Sequence, residues 1–338
     1  MEHTKQLLRV AEIETVAPYV NRYRFTAAQG APAPFLPGQF LCLYYEIDGA
    51  TAVRPYSIAS SPKEAAQGGY YDLFIYVGGS FTSRWLGRHI TVGDTVMASH
   101  PLGEFCICPQ TPQKIVGISG GMSVTPLRSM VRSIVDESTD REITLFCGWD
   151  NSREVLFREE FMQHARECSR VHVQFSLVQD PQPGDKQGYF TSQDILRETD
   201  AHAAAYYLCG PQEMYHSLHD GLIAGGVTSE RYHQEIPGEL HSPDYATAPA
   251  EQYPLTIQTD SGSITVTANA NESVLVALER AGLSPRAYCR SGSCGFCRSL
   301  LLEGQVWTDP GRAKPPENSV FHPCCSFPRS ALTVALPK

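Results

Sequence analysis

The sequence predicts a multidomain chain: an antiparallel β-barrel, then an α/β domain with a parallel sheet, then a smaller β-rich domain. Three observations predict it. Residues 1–110 read as short alternating strands cut by Pro/Gly turns. From Lys114 onward, apolar strands alternate with segments of helical period, the mark of a parallel sheet with covering helices. Residues 237–253 carry Pro237, Pro243 and Pro249 among alanines with no period at all, as in a semi-extended linker. The expected domains are therefore 1–110, 111–236 and 254–338, within the size that 338 residues allow.

In the first domain, Gly38 to Ile47 and Tyr70 to Val77 alternate as barrel strands, and Ser83 to His89 has a helical pattern. In the second, strands are expected at Lys114 to Ser119, Glu142 to Gly148, Val171 to Val178 and Ala205 to Gly210. Helices are expected between them at Val124 to Asp136, Ser152 to Glu167 and Gln212 to Ala224. The third domain opens with two strands, Leu255 to Thr259 and Ser263 to Thr267. A short helix follows, capped by Asn271 and stopped by Gly282, and a strand covers Ser299 to Glu303.

Composition narrows the function. Hydrophobic residues at 42% exclude a disordered chain, and a net charge of −9 argues against a phosphate backbone as partner. No signal peptide opens the sequence and no 18 apolar residues run together, so a cytoplasmic protein without a membrane span is expected. Eleven cysteines in a reducing compartment then mean thiols, metal ligands or catalysis. Cys42, Cys106, Cys108, Cys147, Cys168, Cys209 and Cys325 are scattered, and most are expected to fill the core. Cys289, Cys294 and Cys297 instead share a Gly/Ser-rich loop, with Cys324 following 27 positions later.

The C-x4-C-x2-C spacing with a distant fourth cysteine is that of plant-type [2Fe–2S] ligation. Structural zinc is the rival, but its frameworks pair two C-x2-C hairpins or add histidines, and one such hairpin exists here. Three further segments carry chemistry. Arg54-Pro55-Tyr56-Ser57 offers a bidentate phosphate clamp, an aromatic face and a hydroxyl. Gly78-Gly79-Ser80-Phe81-Thr82 opens a helix, which makes its amides an anion site. Gly120-Gly121-Met122-Ser123-Val124-Thr125-Pro126 follows a strand and opens a helix, the setting of a dinucleotide turn, and Cys209-Gly210-Pro211 ends another strand.

Over nearly its whole length the chain resembles the ferredoxin–NADP reductase superfamily, in the branch with a C-terminal plant-type ferredoxin domain. Reductases of phenylacetyl-CoA epoxygenase, hybrid-cluster protein and phthalate dioxygenase type belong to that branch. The resemblance implies a flavin-binding barrel, an NAD(P)-binding α/β domain and a β-grasp ferredoxin-like domain. It places Arg54 on the flavin phosphate within the Arg54-Pro55 pair, Tyr56 against the isoalloxazine and Ser57 near N5. Gly79, Ser80, Phe81 and Thr82 would hold the phosphate, with Tyr76 facing the flavin. FAD is expected, with FMN the alternative.

Gly120, Gly121, Ser123, Thr125 and Pro126 would bind the nucleotide, although the family pattern has glycine where Ser123 stands. Cys209 would approach the nicotinamide C4, with Gly210 and Pro211 shaping the turn, so that Ser57 and Cys209 are the catalytic candidates. Cys289, Cys294, Cys297 and Cys324 would hold the cluster, Cys324 being chosen over Cys325 because Pro328 follows it as in ferredoxins. Glu235-Ile236-Pro237 offers no aromatic lid for the flavin. Asp150 should repel a 2′-phosphate, which favours NADH over NADPH.

The expected function is an NADH-dependent reductase passing electrons through flavin and a [2Fe–2S] cluster to a metalloenzyme, either an oxygenase or a hybrid-cluster enzyme. Rivals are a redox-sensing flavo-iron-sulfur protein and direct reduction of a small molecule at the flavin. Arg286, Arg290 and Arg298 flank the cluster ligands, which suits three roles: docking an acidic partner surface, docking the chain's own acidic front piece, or, for Arg290, orienting the cluster loop.

Overall fold

The structure is a computed structural model that describes residues 4–47, 50–78, 81–137, 139–235, 251–259, 262–283, 285–290, 292, 295–308 and 319–336. By contact the chain divides into two units, residues 1–43 with 56–237 and residues 44–55 with 238–338.

Alternation of buried and exposed side chains builds the first sheet. Its strands are β1 (Lys5–Ala17), β2 (Val20–Ala27), β3 (Phe40–Ile47), β4 (Ala50–Ser57), β5 (Tyr70–Tyr76) and β6 (Thr95–Ser99), in the order β4-β3-β6-β1-β2-β5. Two register shifts bend β1 against β2, near Val10/Glu12 and Thr15/Ala17. Past the end of β4, the Ala59 amide donates to the Asp72 carbonyl of β5 at 2.9 Å, so the sheet curls back on itself. Tyr23, Phe25, Leu41, Tyr71 and Leu73 fill the interior. Two helices punctuate the barrel. The sequence pattern missed α1 (Pro62–Gly68), which is set by a reciprocal Ser61/Glu64 capping box, whereas α2 (Phe81–His89) follows the glycines at 78–79.

The second sheet is parallel throughout, in the order β10-β9-β8-β7-β11-β12. It is built from β7 (Lys114–Gly120), β8 (Glu142–Trp149), β9 (Val171–Leu177), β10 (Lys186–Gln187), β11 (Ala205–Cys209) and β12 (Tyr232–Glu235). Its helices are α3 (Thr125–Asp136), α4 (Arg158–Glu167), α5 (Ser192–Glu198) and α6 (Gln212–Ala224). The expected helix from Ser152 begins instead at Arg158. Asn151 caps only a 3-10 turn over Ser152–Glu154, and Phe157 takes a left-handed φ of 59° that breaks the helical path. Apart from residues 44–55, the barrel and this sheet share one unit, joined through α3. Arg128 and Ser129 donate to the carbonyls of Ala59 and Ser60 at 2.7 and 2.8 Å, and Arg132 pairs with Glu64 at 2.6 Å.

The second unit carries a mixed sheet, β14-β13-β19-β15-β17. Its strands are β13 (Gln252–Thr259), β14 (Gly262–Asn269), β15 (Ser299–Glu303), β17 (Val320–Phe321) and β19 (Leu332–Ala335). A separate pair joins β16 (Val306–Thr308) to β18 (Ser326–Pro328). Helix α7 (Val274–Arg280) buries Val274, Ala277 and Leu278 against Leu255, Ile257, Leu332 and Val334. Ser273 caps it by accepting from the Val276 amide, not Asn271 as expected, and Gly282 ends it with a φ of 78°. Most of the expected linker, residues 237–250, lies outside the described residues, and β13 starts ahead of the expected Leu255. Among the described residues, no helix is long and apolar enough to cross a membrane.

Candidate functional site: a nucleotide crevice, a flavin face and a thiol loop

Strand order fixes where a nucleotide can bind. The chain runs from β7 outward through β8 and β9, then returns to β7's other side as β11, so the order reverses at the carboxyl ends of β7 and β11. Ligands of open α/β sheets bind at such a point. Here it is formed by Gly120-Gly121 after β7 and Gly210-Pro211 after β11, the two turns that the sequence singled out. Only glycine allows them to touch. A Cβ on Gly120 would lie 2.8 Å from Pro211 Cδ, and one on Gly210 would lie 2.8 Å from Met214 Sδ and 3.3 Å from the Gly120 amide.

A cavity of about 650 Å³ opens beside these turns, lined by Gly120, Gly121, Trp149, Asp150, Tyr189 and Met214 among others. The indole Nε1 of Trp149 and the hydroxyl of Ser176 are buried there without a partner among the described residues. Polar groups so placed fit a polar ligand such as a dinucleotide. Ser123 sits buried in a 3-10 turn over Gly121–Val124, and Thr125 and Pro126 start α3 as buried residues. Asp150 is exposed at the cavity's far wall, where its carboxylate accepts a 2.5 Å hydrogen bond from the Tyr189 hydroxyl. That bond raises the Tyr189 pKa above its ordinary value.

Sequence reasoning missed Tyr189, and it missed Tyr215 as well. The Tyr215 hydroxyl accepts from the Gly210 amide at 3.1 Å and lies against the carbonyls of Leu208 and Glu235, which ties the turn beside Cys209 to the end of β12. Neither tyrosine has a sequence signal, because each acts across a loop. Cys209 is buried at 2% exposure at the end of β11.

On the flavin side, β4 presents Arg54, Pro55, Tyr56 and Ser57 in succession, all half-buried. Tyr76, at the end of β5, is 46% exposed and meets Tyr19 edge to face. Thr82 and Ser83 are buried in the first turn of α2. Gly79 and Ser80 lie outside the described residues, and of Phe81 the backbone alone is described.

The thiol loop is held differently. Arg290 and Gly295 take left-handed φ values of 57° and 71°, and Gly292 one of 83°. Cys289, Cys297 and Cys324 are buried, and the sulfurs of Cys297 and Cys324 lie 3.3 Å apart without a bond. Cys294 lies outside the described residues. The Cys324 thiol, then burial, pushes Cys297 well above its ordinary pKa. Two buried sulfurs so close can both be thiolates only beside a cation, which is what an iron cluster supplies. The sulfur of Cys325 lies 3.6 Å from the His322 carbonyl and also interacts with the neighbouring Cys324 thiol.

Of the remaining cysteines, Cys42 and Cys147 are core residues, and burial pushes Cys147 up to about 12. Cys106, Cys108 and Cys168 are half-buried. Arg286 and Arg298 are exposed as a docking surface requires, but Arg290 is only 4% exposed. It spends its guanidinium on Glu279 and is unavailable to a partner.

Three family models match the chain in succession: an oxidoreductase FAD-binding domain over residues 7–107, an oxidoreductase NAD-binding domain over 118–220, and a 2Fe–2S iron–sulfur cluster binding domain over 258–329. The stachydrine N-demethylase reductase subunit Stc4 of Rhizobium meliloti is 26% identical, over 94% of this chain and 93% of its own. The glycine betaine monooxygenase reductase subunit of Chromohalobacter salexigens is 24% identical, over 93% and 91%. Among solved structures, phthalate dioxygenase reductase, described as modular for electron transfer from pyridine nucleotides to [2Fe–2S], superposes with a TM-score of 0.71. It shares 23% identity over 99% of this chain and 98% of its own. With FAD-, NAD- and cluster-binding domains in this order, the chain belongs to the ferredoxin–NADP reductase superfamily, in the branch with a C-terminal plant-type [2Fe–2S] domain, and is an electron-transfer oxidoreductase.

Proposed function

We propose that the chain is the reductase component of an oxygenase system, taking electrons from NADH and delivering them singly to an oxygenase. The observation that carries it is the buried Cys297–Cys324 sulfur pair beside the strained cysteine loop, in a chain that also holds a dinucleotide crevice. When bound, FAD converts a two-electron donor into one-electron transfers, and the cluster provides the one-electron outlet. The relatives named as oxygenase reductase subunits support an oxygenase as the acceptor.

The chain's own residues bind and orient. Arg54 and Thr82, with the α2 amides, hold the flavin phosphate; Tyr56 and Tyr76 cover the isoalloxazine; Ser57 hydrogen-bonds near N5. Gly120, Gly121, Ser123 and Thr125 with Pro126 receive the pyrophosphate. The Gly210-Pro211 turn, steadied by Tyr215, brings Cys209 to the nicotinamide. Asp150, held by Tyr189, accepts from a free ribose hydroxyl and repels a 2′-phosphate, so NADH is the donor. Cys289, Cys294, Cys297 and Cys324 are the cluster ligands, and the 3.3 Å approach of the Cys324 sulfur to that of Cys297 supports that choice.

Stopped-flow spectroscopy of the loaded protein tests this assignment. NADH should bleach the flavin and then the cluster, with NADPH much slower. A cluster that stays oxidised while the flavin turns over would overturn it.

A further inference from the structure

One carboxylate in the second unit touches two sites that have no reason to share a partner. Glu279, on the last turn of α7, accepts two charge-assisted hydrogen bonds from Arg290, Nη1 to Oε1 at 2.6 Å and Nη2 to Oε2 at 2.8 Å. The same Oε1 lies 3.8 Å from Nη1 of Arg54, which also donates to the Val53 carbonyl. Arg54 stands on the 44–55 segment, and that segment belongs by contact to the unit carrying the cysteine loop.

The environment makes this more than a surface pair. Arg290 is 4% exposed, follows Cys289 directly and holds a left-handed φ of 57°. For a non-glycine residue such a conformation costs on the order of 1–2 kcal/mol and persists only where the surroundings fix it. The Glu279 fork is one contact that holds it there. Helix α7 also packs against the 3-10 turn Pro323–Cys325, which carries Cys324. Glu279 thus sits between both limbs of the thiol site and the arginine of the Arg54-Pro55-Tyr56-Ser57 motif.

We propose that Glu279 is a positioning residue for internal electron transfer: its carboxylate is shared between the flavin-phosphate arginine, Arg54, and the cluster-loop arginine, Arg290, so that what Arg54 binds is felt at the cluster loop through one charge. The assignment rests on the proposed roles of Arg54 and the four cysteines. Because the carboxylate competes with the flavin phosphate for Arg54, its removal should act on flavin affinity as well as on the loop.

The test uses full-length protein loaded with flavin and cluster. Glu279→Gln should tighten FAD binding to the flavin-free protein by about 3- to 10-fold, read by fluorescence quenching, and slow the flavin-to-cluster step about tenfold. Reduction of the flavin by NADH should keep its rate. Should loss of the fork cost the cluster itself, the charge-swapped double variant Glu279→Arg with Arg290→Glu restores the pair while placing a like charge beside Arg54. Cluster absorption should then return while the flavin-to-cluster step stays slow.

Unchanged FAD affinity in Glu279→Gln, or a normal rate in the double variant, would reduce Glu279 to a support of the loop and overturn the proposal. Wild-type protein that fails to reduce its cluster from NADH would instead sink the function proposed above.

Discussion

The nucleotide crevice and the thiol loop solve opposite problems. The crevice must admit and release a ligand, and it is made by leaving side chains out: Gly120 and Gly210 bring two turns together, and the buried polar groups of Trp149 and Ser176 have no partner among the described residues. The thiol loop must keep its ligand, and it is made by locking side chains in. Among its described residues are left-handed Arg290, Gly292 and Gly295, buried sulfurs and a guanidinium clamped by Glu279. An exchangeable site depends on absence of bulk; a permanent one depends on a network that over-determines its geometry.

If the loop is permanent in this sense, a single ligand should be indispensable. Cys297→Ser is expected to abolish the visible absorption of the cluster while flavin reduction by NADH continues, and Cys325→Ser is expected to leave the cluster intact. Loss of the cluster in Cys325→Ser, with Cys324→Ser harmless, would show that the neighbouring thiol is the ligand. The crevice should fail by degrees instead. Gly210→Ala drives a Cβ against Met214 and the Gly120 amide, and overpacking of about 2 kcal/mol should raise the KM for NADH about thirtyfold with the cluster spectrum unchanged. A KM within twofold of wild type would mean that the two turns move apart at little cost.

The rim of the crevice should respond less. Asp150→Arg is expected to shift the NADPH-to-NADH ratio of kcat/KM by about tenfold, the size of one charge-assisted hydrogen bond. An unmoved ratio would place ribose recognition elsewhere. Smallest is the cap of α5, where Thr191 and Asp194 form a reciprocal box beside the cavity. Thr191→Ala should cost about 1 kcal/mol of stability in urea unfolding. Hydrogen bonds from the Thr191 amide and hydroxyl hold the Asp194 carboxyl at about 2, below its ordinary 3.8. Since that pKa is depressed in the folded state, the contribution is complete above 3.8 and fades as the pH falls through about 2. The difference between wild type and Thr191→Ala should therefore narrow at the acid end, leaving the part due to the Asp194 amide bonded to the Thr191 hydroxyl.

How much was legible in the sequence differs between the same two regions. The positions of β7, β8, β9 and β11 and of the helices α3 and α6 follow from apolar periodicity, down to α6 over Gln212–Ala224, because buried strands and amphipathic helices impose their period on the chain, whereas the short β10, β12 and α5 leave too little period to be read. The helix before β9 was misjudged because a left-handed Phe157 and a side-chain cap at Asn151 are local hydrogen-bond and torsion choices that leave no period. Short helices such as α1 are likewise written in a capping box rather than in a stripe. In the thiol loop the cysteines announce themselves by spacing, but the fate of Arg290 does not. Arg286, Arg290 and Arg298 look alike in sequence, and only the fold shows that the middle one is buried against a carboxylate eleven positions earlier. Tyr189 and Tyr215 were missed for the same reason, since each bonds a residue on another loop or strand.

The position of β19 carries a consequence for biosynthesis. Leu332–Ala335 pairs in the middle of its sheet, parallel to β13 on one side and antiparallel to β15 on the other, and Leu332 and Val334 belong to the core. A chain emerging from the ribosome therefore has all four cysteines before it has the strand that closes the sheet around them. The barrel and nucleotide domain, complete by residue 235, can fold while synthesis proceeds at about 5–20 residues per second. The thiol domain has to wait for β19, so iron–sulfur assembly on this protein is expected to follow synthesis of that strand, and nascent chains stalled before residue 332 should bind flavin but take up no iron.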